Sequence, residues 1–563
     1  MIRHEPLPSS RKAAGLSQAA ALTKYIKEFA DREHILGHPL WKPVLEKEIL
    51  FSDLYSRYQI NISPWVLDPV LGELDDPAHQ RRDVVRMPLS EGKNVIVYGG
   101  IGSGKRMLLT TILEDLLEHH SPDELHVYIL DYFEDGLTAF LKAPQVGDVL
   151  LGDEDEKLTR FIKLLKKQID DRKKVLGGRT ASIPLSERLQ TAGICQILVI
   201  IHNLAALKDR MDDQIQDLIH LLKEGPRWGI HFLATVETSS GLGINLQDRF
   251  SRKYVLQMDH DDDYMSLLGR TDGMKPSSVL GRGLIRIEKD IFEFQTATAE
   301  NEPELMCEDL KNSWSGASAE PVRIMPERVT CGLLAQYLDG KEFGIIPVGL
   351  DPETIEPVYY SFNKRTVHMV LGRKTDIMEF LSALIPMFMQ KGYDIVALET
   401  SNELGKLTNT SITDEKSEAG DVIERLFSEC RRAKEAITQG KTLDQTPRMI
   451  LIPATQDLLM NLDEESCESL RAMLERARPE WKWTFIVCDS PQSFNKLRYN
   501  DEDKIWIDAS VNTENGIYLG GGISSQMMLH VEGDSRQLYQ SIAYPLGYIV
   551  SDAEAKRIHF LSS

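Results

Sequence analysis

The sequence predicts an α/β fold built as two tandem units, each a largely parallel sheet flanked by helices. Three observations carry this reading. Apolar strand-like runs alternate with helix-length segments through the first half, the pattern of a parallel sheet with crossover helices. The second half repeats the first in the same order. One strand-to-helix junction of the first half, Gly99 to Lys105, is a glycine-rich loop of the phosphate-binding kind.

At 563 residues the chain is too long for one ordinary core, and two domains of about 200–300 residues are the natural expectation. The first domain is placed at residues 1–300, a linker at 301–326 and the second domain at 327–563. An amphipathic stretch runs from Leu16 to Asp31, followed by a Pro-containing, strand-like segment around Trp41 to Leu54. A β-rich region with the turn LDDPAHQ from Leu74 comes next. Asn94–Tyr98 then reads as the strand entering the glycine loop, and RMLLTTILEDLLEHH as the helix leaving it. The strand His126–Tyr132 precedes a long charged helix ending at Gly177. The strand Gln196–Ile201, the helix DDQIQDLIHLLKEG and the strand Gly229–Val236 follow. Ala299–Pro321 is polar and reads as a short helix plus linker.

The duplication is visible without gaps around the loop. Val95–Leu109 lies over Val367–Leu381, Ile197–Leu207 over Met449–Leu459, and Ile230–Glu237 over Trp483–Ser490. Three pairings in one order imply tandem copies.

The loop GGIGSGK fills the pattern GxxxxGK with Gly99, Gly104 and Lys105, with Gly100, Ile101, Gly102 and Ser103 between. Such glycines let backbone N–H groups converge on phosphate oxygens at the positive end of a helix, so this is a P-loop NTPase domain expected to bind ATP. Arg106 stands where a hydroxyl normally holds magnesium, which makes metal binding doubtful. The strand Ile197–Ile201 should end in carboxylates and offers His202 and Asn203. No catalytic residue and no metal ligand is assigned, and ATP is expected to bind without efficient hydrolysis.

In the second copy Leu371, Asp376, Ile377 and Met378 align with the first glycine, second glycine, lysine and hydroxyl position. Asp376 would repel a phosphate. Arg373 and Lys374 read as a solvated turn, Pro453 and Ala454 replace the acids, and Gly520–Gly522 reads as a tight turn.

The net charge of −21 opposes binding to a nucleic-acid backbone. Six scattered cysteines show no metal-ligand spacing and fit a reducing compartment, and no run of about 18 apolar residues occurs.

The sequence resembles the FtsK/SpoIIIE-type ATPases (RecA-like P-loop domains). In particular it is similar to the tandem C-terminal ATPase domains of EssC-like motors of Gram-positive type VII secretion. The resemblance covers nearly the whole chain. It rests on VYGGIGSGKRMLL, SPDELHVYILDYFEDGL (Ser121–Leu137), LKKQIDDRKKVL (Leu165–Leu176), RWGIHFLATVE (Arg227–Glu237), GRGLIRIEKDIFEFQ (Gly281–Gln295) and PVRIMPERV (Pro321–Val329). It implies an ATP-dependent motor that exports WXG100-type proteins, assembles as a hexameric ring, and works at the cytoplasmic face of the membrane. Membrane segments and further ATPase domains are implied upstream, so the chain is expected to be the C-terminal part of a longer protein. The family's glutamine after the fourth strand is Val236 here. Arg249 and Arg252 are candidates to complete a neighbouring subunit's site. Two other readings stay open: a ring ATPase completed in trans, and a DNA translocase of the same superfamily.

Overall fold

The computed structural model describes residues 17–35, 42–133, 136–177, 183–211, 214–238, 240, 242–399, 404, 410–411, 416–439, 446–476, 478, 481–533 and 536–562. The chain divides into two units, Met1–Arg323 and Ile324–Ser563.

In the first unit the strands are β1 (Val70–Asp76), β2 (Arg81–Arg86), β3 (Asn94–Tyr98), β4 (Leu125–Asp131), β5 (Val146–Leu151), β6 (Gln196–His202), β7 (Ile230–Val236), β8 (Phe250–Leu256), β9 (Arg282–Ile287) and β10 (Asp290–Thr296). They form one sheet in the order β2-β1-β10-β9-β8-β3-β7-β6-β4-β5. From β8 to β5 every pairing is parallel, and the remaining strands add an antiparallel wing. Strands β3, β6 and β7 are buried along their whole length, which is why they read as continuous apolar runs rather than alternating ones.

Helices cover the two faces of this sheet for reasons written in their spacing. Lys105–His119 is leucine-rich almost all round, and Leu108, Leu109, Ile112, Leu113 and Leu116 join one core cluster. Asp155–Leu176 is amphipathic instead. Leu158, Phe161, Ile162, Leu165 and Ile169 fall on one face and pack into the cluster on the other side of the sheet. Asp155 and Glu156 in its first turn and Lys173 and Lys174 in its last complement the helix dipole.

The second unit contains β11 (Ile345–Leu350), β12 (Pro357–Ser361), β13 (Val367–Leu371), β14 (Asp394–Ala397), β15 (Thr410–Ser411), β16 (Arg448–Ile452), β17 (Trp483–Asp489), β18 (Gly516–Leu519), β19 (Leu546–Ser551) and β20 (Glu554–Phe560). Their order, β12-β11-β20-β19-β18-β13-β17-β16-β14-β15, matches the first sheet position for position. The tandem duplication extends to irregularities. Strand β1 shifts register between Val70 and Gly72, and β11 shifts between Pro347 and Gly349. A side chain at either glycine would strike the neighbouring backbone: a Cβ on Gly72 would lie 1.9 Å from the Gln295 carbonyl oxygen, and one on Gly349 2.3 Å from that of His559. Each copy therefore keeps a bulge that only glycine fills.

Two expectations need correction. The segment read as strand-like around Trp41 to Leu54 is irregular over its described residues up to Ile49; only Leu50 makes a bridge, to Thr298, and a helix, Phe51–Tyr58, takes over its last residues. Phe51 and Leu54 are helix-spaced and bury against Ile49, Val70 and Ala297, so tertiary packing chose the helical period. Trp41 lies outside the described residues, as does Leu16. The stretch 17–32 does form a helix, Gln18–Arg32, but no residue of it is buried. The region placed in a linker from 301 is held by the first unit well past that point. Pro303–Ser313 is a helix whose Met306 and Cys307 enter the first core, and the N–H of Val322 donates to Asp148 Oδ2 at 3.1 Å. Among the described residues no helix is long and apolar enough to cross a membrane.

Candidate nucleotide-binding site

Strand β3 delivers the chain to Gly99 at the carboxyl edge of the parallel sheet, and the helix Lys105–His119 begins six residues later. The turn is possible because Gly102 and Gly104 take φ of 72° and 103°, the left-handed region that side chains disfavour. Neighbouring segments fix the loop's position. Gly99 N–H donates to Val236 O at 3.1 Å, Gly100 N–H to Gln257 O at 2.7 Å, and Ser103 O accepts from Gly281 N–H at 3.0 Å. Gly104 is also a close approach, since a Cβ there would lie 2.5 Å from Gly281 N.

Lys105 is buried and folds back over the loop, with Nζ donating to Gly99 O at 2.7 Å and Gly100 O at 2.9 Å. Its ammonium also lies 5.4 Å from the Phe133 ring centroid. Loop and lysine form one side of a cavity of about 520 Å³ lined by Ile101 to Met107, Thr110, Phe133, His202, Glu237, Leu280, Thr298 and Ala299. Ser103 is buried at its wall, and its Oγ has no hydrogen-bond partner among the described residues. Arg106 is exposed and sits over Gly136, where a Cβ would come within 2.8 Å of Nη2.

His202 and Asn203 close β6. Thr235 Oγ1 lies 2.7 Å from His202 Nδ1 and accepts from Asn203 N–H at 3.1 Å. The Asn203 side chain caps the helix Leu204–Arg210 by accepting from Ala206 N–H at 3.2 Å. The His202 ring tilts against Phe133 at 4.7 Å. Val236 ends β7 as a buried apolar residue and offers no polar group.

Sequence reasoning looked for carboxylates only after β6 and missed those that the parallel register brings to the same edge. Glu237 follows β7 directly and lines the cavity. Asp131 ends β4 in register with His202, and its buried carboxylate accepts from Phe133 N–H at 3.2 Å. The signal was available: acidic residues close the two parallel strands that flank β6, at the edge where ligands of such sheets bind.

Arg249 and Arg252 lie at the opposite edge. Arg252 is in register with Val95 near the start of β3 and pairs with Glu91 at 3.8 Å, while Arg249 Nε donates to Asn245 O at 3.3 Å. Neither reaches the loop of its own unit.

The residues present fit a phosphate chain: a loop with two left-handed glycines at the start of a helix, Lys105, and an unpaired hydroxyl in the wall. They do not fit magnesium. The position that normally supplies its hydroxyl is a cation, and the described residues contain no cluster of three or more His, Cys, Asp or Glu that could hold a metal.

The second unit corrects the gapless pairing of the two loops. Strand β13 ends at Leu371 and the next helix, Lys374–Gln390, starts after only Gly372 and Arg373. Four loop residues are missing, so Lys374 takes the first helical position and Asp376 lies inside the first turn. Arg373 grips Asp376 in a two-pronged pair, Nε–Oδ2 2.8 Å and Nη2–Oδ1 3.1 Å. Gly372 N–H still donates to Asp489 O at 3.2 Å, as Gly99 N–H does to Val236 O. Asp489 ends β17, where burial raises its pKa, and its side chain accepts from the N–H groups of Gln456 and Ser490. Gly520 and Gly522 form a turn after β18 with φ of 90° and 81°.

Residues 63–183 match the FtsK/SpoIIIE family. The ESX secretion system protein YukB of Bacillus subtilis (strain 168) is 28% identical over 326 residues, 55% of this chain and 22% of that protein. The ESX secretion system protein EccC of Geobacillus thermodenitrificans (strain NG80-2) is 26% identical over 359 residues, covering 58% and 24%. The chain thus spans about a quarter of the length of these curated relatives. Of solved structures, EssC (ATPases 2 and 3) from Geobacillus thermodenitrificans matches with a TM-score of 0.71 at 19% identity, over 92% of this chain and 100% of that one. The cytoplasmic domain of EssC matches with a TM-score of 0.72 at 19% identity, over 88% and 99%. The fold is therefore that of the tandem ATPase units of these EssC structures, and the family match falls within the first unit.

Proposed function

We propose that this chain, which carries an FtsK/SpoIIIE domain and has type VII secretion ATPases as homologues, is the part of a secretion motor that holds ATP in its first unit as a structural ligand with little or no hydrolysis. The carrying observation is the contrast at the loop: a cavity with Lys105 and two left-handed glycines on one side, and His202 and Asn203 engaged with Thr235 where carboxylates would activate water. ATP bound there would bridge segments that already meet at the loop, the ends of β7 and β8 and the turn at Gly281. Its differential affinity for two arrangements of them is what a regulatory ligand requires. Magnesium-dependent release of phosphate by the chain is expected to stay below about 1 per minute, far under the roughly 10 per second typical of enzymes. Turnover above that limit, lost in Lys105→Ala, overturns the reading.

Glu237 favours a second reading, in which the chain turns over ATP in a hexameric ring with an arginine supplied by a neighbouring subunit, because it places a carboxylate in the cavity. Turnover that rises steeply with protein concentration supports this second reading. A DNA translocase is disfavoured by the charge of −21.

The second unit supplies the surface for WXG100-type helical substrates. A groove of about 470 Å³ lies between the helices Lys416–Thr438 and Glu464–Arg476, with Phe427, Cys430, Met473 and Trp481 as apolar lining and a rim in which Arg431, Lys434 and Arg476 outnumber Glu435. This suits one apolar face of a helix flanked by carboxylates. Ala472→Trp fills the groove and is expected to abolish retention of WXG100 proteins in a pull-down; unchanged retention rules the groove out. In the cell the chain would act beside membrane and ATPase segments of a longer protein, at the cytoplasmic face of the membrane.

A further inference from the structure

The loop of the first unit carries two adjacent cations, Lys105 and Arg106, and they are disposed differently. Lys105 is buried against the loop carbonyls, whereas Arg106 is exposed at the cavity and makes no hydrogen bond or ion pair among the described residues. Its guanidinium rests over Gly136, whose lack of a side chain leaves the room it occupies. Ser103, buried in the same wall with an unpaired Oγ, marks the cavity as a site built for a polar ligand. A divalent metal in this cavity would find a cation at the position of the usual hydroxyl ligand, which withholds a ligand and adds like-charge repulsion. The guanidinium itself offers what the metal would have offered: positive charge, and a planar fork of N–H donors matched to phosphate oxygens.

We infer that the first unit binds ATP as the free, metal-less anion, with Arg106 in place of magnesium as counter-ion to the outer phosphates. This rests on the proposal that the loop holds ATP, and it specifies the form of that ligand. Lys105 exchanges its two carbonyl partners for phosphate oxygens, and Ser103 gains an acceptor. Arg106 neutralises charge that in other sites of this kind falls to the metal. Magnesium then competes for the ligand in solution, so adding it weakens binding.

The test is equilibrium binding of a radiolabelled ATP to the full chain, in excess EDTA and in excess magnesium. The wild-type protein is expected to bind in EDTA as tightly as in magnesium or more so. Arg106→Thr, which restores the usual hydroxyl at an exposed position, is expected to lose about 10-fold or more in EDTA, the size of a lost charge-assisted hydrogen bond, and to recover when magnesium is added. Unchanged melting of the unligated variant guards against misfolding. Binding by the wild type that improves 10-fold or more with magnesium overturns this inference while leaving ATP binding intact. Equal affinities of wild type and Arg106→Thr in EDTA also overturn it. Absence of ATP binding in both buffers overturns the inference and the ATP-binding proposal together.

Discussion

Lys105→Ala is expected to weaken ATP binding about 100-fold, the equivalent of roughly 3 kcal/mol of charge-assisted hydrogen bonding. In the free protein this ammonium donates to two loop carbonyls, at 2.7 and 2.9 Å, which hold it beside the cavity. Alanine leaves the loop in place, because Gly99, Gly100 and Ser103 are fixed by backbone hydrogen bonds to Val236, Gln257 and Gly281. The unligated variant should therefore melt within a few degrees of wild type while titration with ATP becomes shallow. An affinity within 5-fold of wild type would mean that the loop does not grip the ligand.

Gly72→Val is expected to cost more than about 4 kcal/mol, most of the stability of a domain at the low end of the usual range of about 5–15 kcal/mol. The obstruction is backbone. A Cβ would lie 1.9 Å from Gln295 O and 2.8 Å from its carbonyl carbon, and neither atom can swing aside as a side-chain end can. Urea unfolding of this variant should lack the transition of the first unit, or soluble protein should fail to accumulate. Gly332→Ala is the contrast. Its nearest neighbour is Thr330 Oγ1 at 3.9 Å, in the short helix Cys331–Ala335, so the change should be neutral or mildly stabilising. A Gly72→Val protein that unfolds at the wild-type urea concentration would refute the role given to the bulge.

The parts of the fold that were legible in the sequence are those where burial is complete and the period unambiguous. Asn94–Tyr98 carries five buried residues in a row, and its bounds were read correctly because nothing in it competes with a strand. The same clarity held for the helix after the loop and for Asp155–Leu176. Short elements were less legible. Phe51–Tyr58 hid behind a run of β-compatible residues, because only its contact with Val70 and Ala297 selects helix. Strand β5, Val146–Leu151, was missed because Gly147 and Asp148 interrupt its apolar run, although Pro144 before it and Gly152 after it mark its ends.

At the site, chain-local features were visible and spatial ones were not. The glycines and Lys105 announce themselves by spacing. Glu237 and Asp131 do not, because they reach the crevice from β7 and β4, strands separated from the loop by long stretches of sequence. The second loop misled for a related reason. An alignment without gaps fits the flanking apolar residues well, yet the turn is four residues shorter, and an insertion or deletion leaves no trace in a one-to-one pairing.

That shortening sets how far each copy stands from recovering a nucleotide site. In the first unit every departure is a change of side chain, at Arg106 or at the ends of strands, on a backbone that still describes the required turn. Single substitutions can reverse such changes one at a time. In the second unit two residues now span the junction, and the Arg373–Asp376 pair occupies the first helical turn. No sequence of point mutations lengthens a chain. Substitutions alone separate the first copy from a standard loop, whereas the second needs an insertion as well.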